Sequence, residues 1–95
     1  MVINNVMIKL NERNNGNIEE ARKVLLSMEG KIDFLRDIKV EVDTRKGEYD
    51  LLLITKFNSM EDMNSYLVHP IHLEVGKYIA SVLKDQASLC YKSLE

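Results

Sequence analysis

An apolar segment with hydrophobic residues on both faces of an extended chain constrains the fold most strongly. Within residues 49–57, the run Leu51-Leu52-Leu53-Ile54 is apolar throughout. Because successive side chains of a strand point to opposite faces, this run predicts a strand that is covered on both sides. Residues 2–10 also have apolar side chains on both faces, namely Val2, Val6, Ile8 and Leu10 on one and Ile3 and Met7 on the other. Both segments are therefore expected at the centre of a sheet.

Capping signals indicate where the helices begin. Asn17 followed by Glu20 is a variant of the capping box and predicts a first helix from there to Gly30. Its inner face is expected to hold Ile18, Ala21, Val24, Leu25 and Met28. Ser59 followed by Asp62 predicts the start of a second helix, with an inner face of Met60, Met63, Tyr66 and Leu67.

The only proline, Pro70, interrupts that second helix. Proline disfavours helical geometry in the residue before it, so the helix is expected to end or turn sharply there. A further helical stretch is predicted from about His72 to Leu83. Two more strands are expected, an edge strand at 38–42 with a charged face of Lys39 and Glu41, and a last strand at 87–91.

The predicted order is β-α-β-β-α-β with the second helix broken at Pro70, which is typical of an α+β, ferredoxin-like fold. Ninety-five residues are enough for one core, so residues 1–95 are expected to form a single domain. In this topology the helices cover one face of the sheet. The other apolar face is too large for a monomer to leave bare, so we expect a homodimer that packs sheet against sheet.

Composition and charge narrow the range of partners. Thirteen basic and fifteen acidic residues give a net charge of −2, which argues against a nucleic-acid partner. No apolar run approaches the roughly 20 residues of a membrane span, and no signal peptide is evident. With one cysteine, a cytoplasmic location is expected. Cys90 is interpreted as a buried, inert thiol.

The densest group of reactive side chains is Tyr66, His69 and His72, around the break at Pro70. A histidine can act as a general base, and a tyrosine hydroxyl can stabilise an oxyanion. The alternative is structural, with Tyr66 in the core, His69 as a cap and His72 at the start of the next helix. No metal site is expected, because Pro70 separates the two histidines and there is no third. The scattered glycines predict no cofactor-binding loop.

Five segments resemble the stress-responsive A/B barrel domain (Dabb) family of dimeric α+β barrel proteins. They are Ile8-Lys9-Leu10, Gly30-Lys31-Ile32, Tyr49-Asp50-Leu51, Phe57-Asn58-Ser59-Met60-Glu61-Asp62 and, most specifically, Tyr66-Leu67-Val68-His69-Pro70-Ile71-His72. The resemblance covers essentially the whole chain. It implies a barrel formed between two chains.

The resemblance also implies candidate roles. Some plant members are similar to polyketide cyclases, in which a tyrosine and the histidine after His-Pro carry out an aldol-type ring closure. Those roles fall on Tyr66 and His72, with His69 as a neighbouring pocket residue. Members commonly have a histidine early in the first strand, where this chain has Asn4.

Two functions are consistent with these residues. The first is a homodimer of unassigned activity that holds a small apolar molecule between helices and sheet, with Asn4, His69, Tyr66 and His72 as ligand contacts. The second is a cofactor-independent enzyme with His72 as general base and Tyr66 as oxyanion donor. Asn4 favours the first, because an amide does not titrate near neutral pH.

Overall fold

A four-stranded antiparallel sheet with helices on one face forms the protein, which is described by a computed structural model over residues 1–94. The elements are β1 (Val2–Leu10), α1 (Asn15–Leu26), β2 (Asp37–Val42), β3 (Leu51–Phe57), α2 (Met60–Leu67), α3 (Pro70–Val82) and β4 (Leu83–Lys92). The strand order is β2-β3-β1-β4. The predicted α+β, ferredoxin-like fold is confirmed, with β1 and β3 at the centre and β2 at an edge.

The core lies between the helices and one face of the sheet. Burial alternates along β3, where Leu51, Leu53, Thr55 and Phe57 are buried and the residues between them are half-buried. The register pairs Leu51 with Ile8 and Phe57 with Val2 of β1, so these side chains share a face. The buried helical residues packed there are Ile18, Ala21, Leu25, Met63, Tyr66, Val75 and Ile79.

The opposite face of the sheet has an apolar centre that is partly exposed. This face is here called the open face, and its apolar side chains are Ile3, Met7, Leu52, Ile54, Ala87, Leu89 and Tyr91. Leu89 is 66% exposed, and Met7 and Tyr91 are also exposed. An exposed group of large apolar side chains on one flat face is typical of an interaction surface.

The first helix begins earlier than the sequence predicts. Its N-cap is Asn14, whose side-chain oxygen accepts a hydrogen bond from the Asn17 backbone N–H at 2.8 Å. Asn17 instead uses its side-chain amide to donate to the carbonyl of Glu12 at 2.9 Å. Asparagine is a favourable N-cap residue at either position, and here Asn14 takes that role.

The predicted helix break near Pro70 is confirmed, since α2 ends at Leu67 and a new helix begins at Pro70. The Ser59 hydroxyl accepts from the Asp62 N–H at 3.1 Å, as predicted for the start of α2. Pro70 is the first residue of α3, two residues before the predicted start. That position suits proline, because the first N–H of a helix has no intrahelical partner. Contrary to the predicted inner face of α2, Met60 and Leu67 are exposed.

The last strand follows α3 without a connecting loop, since Val82 ends the helix and Leu83 begins β4. The Asn11 N–H donates to the Val82 carbonyl at 2.9 Å. This bond lies where the β1–β4 register shifts, between Lys9 and Leu10. It therefore joins the end of α3 to the residue after β1.

Candidate functional site

Tyr66 lies in α2 with its side chain buried in the core. Its ring centroid is 4.9 Å from that of Phe57, and its hydroxyl donates to Met28 Sδ at 3.8 Å. Burial raises the pKa of Tyr66 well above its ordinary value, because the phenolate would lose its hydration. The phenol therefore stays protonated at neutral pH and can act as a hydrogen-bond donor.

His72 lies in the first turn of α3, and its ring centroid is 4.4 Å from that of Tyr66. Its Nδ1 is 2.9 Å from the carbonyl oxygen of Leu67. A carbonyl oxygen can only accept, so the proton must be on Nδ1. In the neutral ring, Nε2 then carries the lone pair that is free to accept a proton or a hydrogen bond.

The surroundings of His72 favour its neutral form. Burial is the main cause that lowers its pKa below 6.5, and the electrostatic interaction with His69 acts in the same direction. The hydrogen bond to Leu67 opposes this and raises the pKa. Because burial dominates, the ring is neutral at pH 7, which is the state required of a base.

Both rings line a partly open cleft of about 260 Å³ between the helices and the sheet, here called the Tyr66 cleft. Most of its wall is apolar, with Ile8, Leu25, Met28, Leu53, Val75, Ile79 and Leu83. The side chains with polar groups are Tyr66, His72 and Gln86. Drug-sized ligands occupy pockets of about 300 Å³ or more, so this volume suits a smaller molecule, of about one ring.

The other two predicted ligand contacts lie elsewhere in the described chain. The His69 ring caps α3, with Nδ1 accepting from the Ile71 N–H at 3.1 Å. Asn4 is on the helix-facing side of β1, opposite Thr55 and Cys90. It is four residues from Ile8, the β1 residue of the cleft, and strands rise about 3.3 Å per residue. Contact of Asn4 or His69 with a ligand stays a prediction.

Gln86 is a cleft residue that the sequence analysis did not identify. It pairs with Ile8 of β1, so its side chain points to the helix-facing side of the sheet. The period-2 pattern of β4, with Ala87, Leu89 and Tyr91 on the open face, is the signal that places Gln86 on the other side. An amide there adds both a donor and an acceptor to the cleft.

Cys90 contradicts the prediction of a buried thiol, since its side chain is exposed. It shares the helix-facing side of β4 with Gln86, but the helices cover that edge strand only in part. Within residues 1–94, no group of three histidine, cysteine, aspartate or glutamate side chains could hold a metal ion. No helix in this part of the chain is long and apolar enough to cross a membrane.

Solved structures of other proteins share this fold. A dimeric protein of unknown function and ferredoxin-like fold from Bacteroides fragilis is 23% identical, with a TM-score of 0.81 over 97% of this chain and 95% of that chain. A dimeric ferredoxin-like protein of unknown function from Thermobifida fusca is 18% identical, with a TM-score of 0.85 over 97% and 90%. Hydroxynitrile lyase from Passiflora edulis is 15% identical, with a TM-score of 0.81 over 95% and 90%. At these identities the likeness shows the fold alone.

The family of the chain is shown by its sequence. No curated protein matches it. The profile of the stress responsive A/B barrel domain, Dabb, matches residues 4–91, which run from β1 to β4 and include both rings of the cleft. The chain therefore belongs to the stress responsive A/B barrel domain (Dabb) family.

Proposed function

We propose that this Dabb protein is a homodimer that binds a small, mainly apolar molecule in the Tyr66 cleft. The observation that carries the proposal is the convergence of the Tyr66 and His72 rings, 4.4 Å apart, on one largely apolar space. Apolar walls with a few convergent polar groups are the usual composition of a small-molecule site.

The polar groups define the chemistry of the ligand. The Tyr66 hydroxyl can donate to a ligand in place of Met28 Sδ, the His72 Nε2 accepts, and the Gln86 amide can do either. A one-ring molecule with a carbonyl or hydroxyl group would fill the volume and pair with these groups. A charged ligand is disfavoured, because none of the residues that line the cleft carries a permanent charge.

The open face supports the homodimer. Seven apolar side chains lie on it, among them Leu89, which is 66% exposed. A second copy with its sheet against this face would remove the apolar surfaces of both chains from water. The relatives from Bacteroides fragilis and Thermobifida fusca are described as dimeric. If two chains pack sheet against sheet, each Tyr66 cleft is still formed by the residues of a single chain.

Binding is tested by NMR with benzaldehyde as a one-ring carbonyl probe. We expect benzaldehyde to shift the ring resonances of His72 and Tyr66, and both Tyr66→Phe and His72→Asn to weaken its binding. Tyr78→Phe is the matched control, because Tyr78 is also a helical tyrosine but lies outside the lining of the cleft. Equal binding in all four proteins, or no shift in the native chain, would refute the ligand site.

The neutral His72 supports a second candidate, a cofactor-independent enzyme. In an aldol-type closure, Nε2 would take a proton from the carbon beside one carbonyl group, and that carbon would attack a second carbonyl group. The new alkoxide would accept a hydrogen bond from Tyr66 and take its proton from His72. Hydroxynitrile lyase from Passiflora edulis, which has the same fold, suggests cyanohydrin cleavage as a simpler reaction to test.

Mandelonitrile separates the two candidates. An enzyme should release benzaldehyde and cyanide from it faster than the His72→Asn variant does. Tyr78→Phe is again the control, because Tyr78 lies outside the lining of the cleft. Benzaldehyde binding without any turnover above His72→Asn would support the binding protein and argue against lyase activity.

A further inference from the structure

Three sulfur atoms converge where α2 faces the edge strand β4. Cys90 Sγ lies 3.5 Å from Met63 Sδ and 3.9 Å from Met60 Sδ. The two methionines are three residues apart, so they lie on neighbouring positions of one helix face. Cys90 points towards them from the helix-facing side of β4. We call these three side chains the sulfur cluster.

We propose that the sulfur cluster binds one monovalent soft metal ion, Cu(I). A thiolate and two thioethers are soft ligands, and this ligand type selects Cu(I). Zn²⁺ prefers thiolate, imidazole and carboxylate ligands, and two of the three ligands here are thioethers. The cluster therefore favours Cu(I) over the divalent metals common in proteins.

The spacing of the sulfur atoms fits a three-coordinate ion. Metal–sulfur bonds are about 2.3 Å long, so sulfur atoms at the corners of a trigonal site are about 4 Å apart. The separations of Cys90 Sγ from the two thioether sulfur atoms, 3.5 and 3.9 Å, are close to that value. The thiol proton can be donated to only one thioether at a time, whereas an ion between the three atoms bonds to all of them.

The position of the cluster allows an ion to enter and retains it. Cys90 is exposed and Met60 is 43% exposed, while Met63 is buried. Ions can therefore reach the thiol from solvent and still be held against a buried ligand. Glu61 and Asp62 lie beside the two methionines in α2, and Lys92 lies on the same face of β4 as Cys90. The two acidic side chains therefore outnumber the one basic side chain near the cluster.

Binding is coupled to the loss of one proton. The Cys90 thiol must release its proton before its sulfur bonds Cu(I), and the thiolate and the ion together are neutral. The three residues lie outside the lining of the Tyr66 cleft and on the other side of the sheet from the open face, so the proposal does not depend on the proposed function.

An anaerobic titration of the reduced full chain with Cu(I), in competition with bicinchoninate, tests the proposal. We expect one Cu(I) per chain, a thiolate-to-copper charge-transfer band in the ultraviolet, and three sulfur neighbours by X-ray absorption. Ag(I) serves as a redox-inert second probe and should compete for the same site. A copper ion bridged by Cys90 from two chains, with two sulfur neighbours, would overturn the proposal.

Substitution of the methionines distinguishes Cu(I) binding by the whole sulfur cluster from binding by the Cys90 thiol alone. Met60→Leu and Met63→Leu conserve volume and should keep the fold. Loss of an outer-shell partner already lowers metal affinity about 10–100-fold, so each of these variants should weaken Cu(I) binding at least that much, and Cys90→Ser should abolish it. Met7→Leu, on the open face, is the matched control and should bind like the native chain. Native affinity in both methionine variants would refute the site.

Discussion

Arg13 Nη1 lies 3.0 Å from Asp50 Oδ1, and this ion pair joins the loop after β1 to the residue before β3. Asp50 is only 4% exposed, and its second carboxylate oxygen accepts the Leu10 N–H at 2.7 Å. Arg13 Nη2 also donates to the carbonyl of Asp43 at 2.8 Å. The arginine therefore holds the β2–β3 connection against the end of β1.

Replacement of Asp50 should lower the free energy of unfolding, because both of its carboxylate oxygens accept hydrogen bonds. Asp50→Ala leaves the Arg13 guanidinium and the Leu10 N–H without their partner, and removal of one member of a buried pair costs about 3–5 kcal/mol. Since Arg13 is partly exposed, we expect the free energy of unfolding to fall by about 3 kcal/mol at most. Urea unfolding monitored by circular dichroism measures the change.

Lys77→Ala provides the comparison for Asp50→Ala. Lys77 pairs with Glu74 at 3.3 Å, but the side chains are 76% and 74% exposed. An exposed pair of this kind contributes less than about 1 kcal/mol. Equal losses of stability in the two variants would show that the Arg13–Asp50 pair stabilises the fold no more than an exposed ion pair does.

The fold was predictable from the sequence because its signals are local. The two-sided apolar run at Leu51–Ile54 predicted a central strand, and the Ser59 cap and Pro70 placed the boundaries of α2 and α3. Each of these signals depends on neighbours within about four residues, which is the range over which periodicity and capping act.

The details that the sequence did not predict depend on contacts between distant residues. Arg13 and Asp50 are 37 positions apart, and no periodic pattern connects them. Alternation along β4 places Cys90 on the helix-facing side, but its exposure depends on how far α2 extends over the edge strand. Tyr66 and His72 were predicted as contacts of one ligand, because both residues lie close to the same helix break.

Leu52 and Leu53 should have different effects, although they are adjacent. Leu53 is buried against the helices, so Leu53→Ala should lower the free energy of unfolding by about 2–5 kcal/mol. Leu52 lies on the open face, opposite Met7. If that face is the homodimer interface, Leu52→Asp should give a folded monomer. Sedimentation velocity and circular dichroism measure the two outcomes, and a folded dimer from both Leu52→Asp and Leu53→Asp would contradict the assignment of faces.

His72 should make stability depend on pH. Its pKa in the folded chain lies below the unfolded value of 6.5, so below pH 6.5 the unfolded chain binds the proton more readily than the folded chain. The contribution of neutral His72 to the free energy of unfolding is fully present above pH 6.5. It is lost as the pH falls towards the pKa of His72 in the folded chain. Urea unfolding at pH 7.5 and 5.5 should show this loss in the native chain and less of it in His72→Gln.

The tautomer of His72 can be measured independently of its pKa. Nitrogen-15 NMR of the ring should place the proton of the neutral form on Nδ1, because the Leu67 carbonyl accepts from that atom. His69→Asn should leave this tautomer unchanged and move the His72 pKa slightly upward, since the electrostatic interaction with His69 lowers it. A proton on Nε2 would contradict the hydrogen bond and remove the free acceptor from the cleft.

Two substitutions of Tyr66 should show separately how much its ring and its hydroxyl contribute to stability. Tyr66→Phe keeps the contacts of the ring with Phe57 and His72 and removes only the bond to Met28 Sδ. Sulfur is a weak acceptor, so this variant should lose less than about 1 kcal/mol of stability. Tyr66→Ala removes the whole ring and should cost about 3–5 kcal/mol. Thermal and urea unfolding measure both variants, and a loss in Tyr66→Phe as large as in Tyr66→Ala would mean that the hydroxyl, rather than the packed ring, stabilises this part of the core.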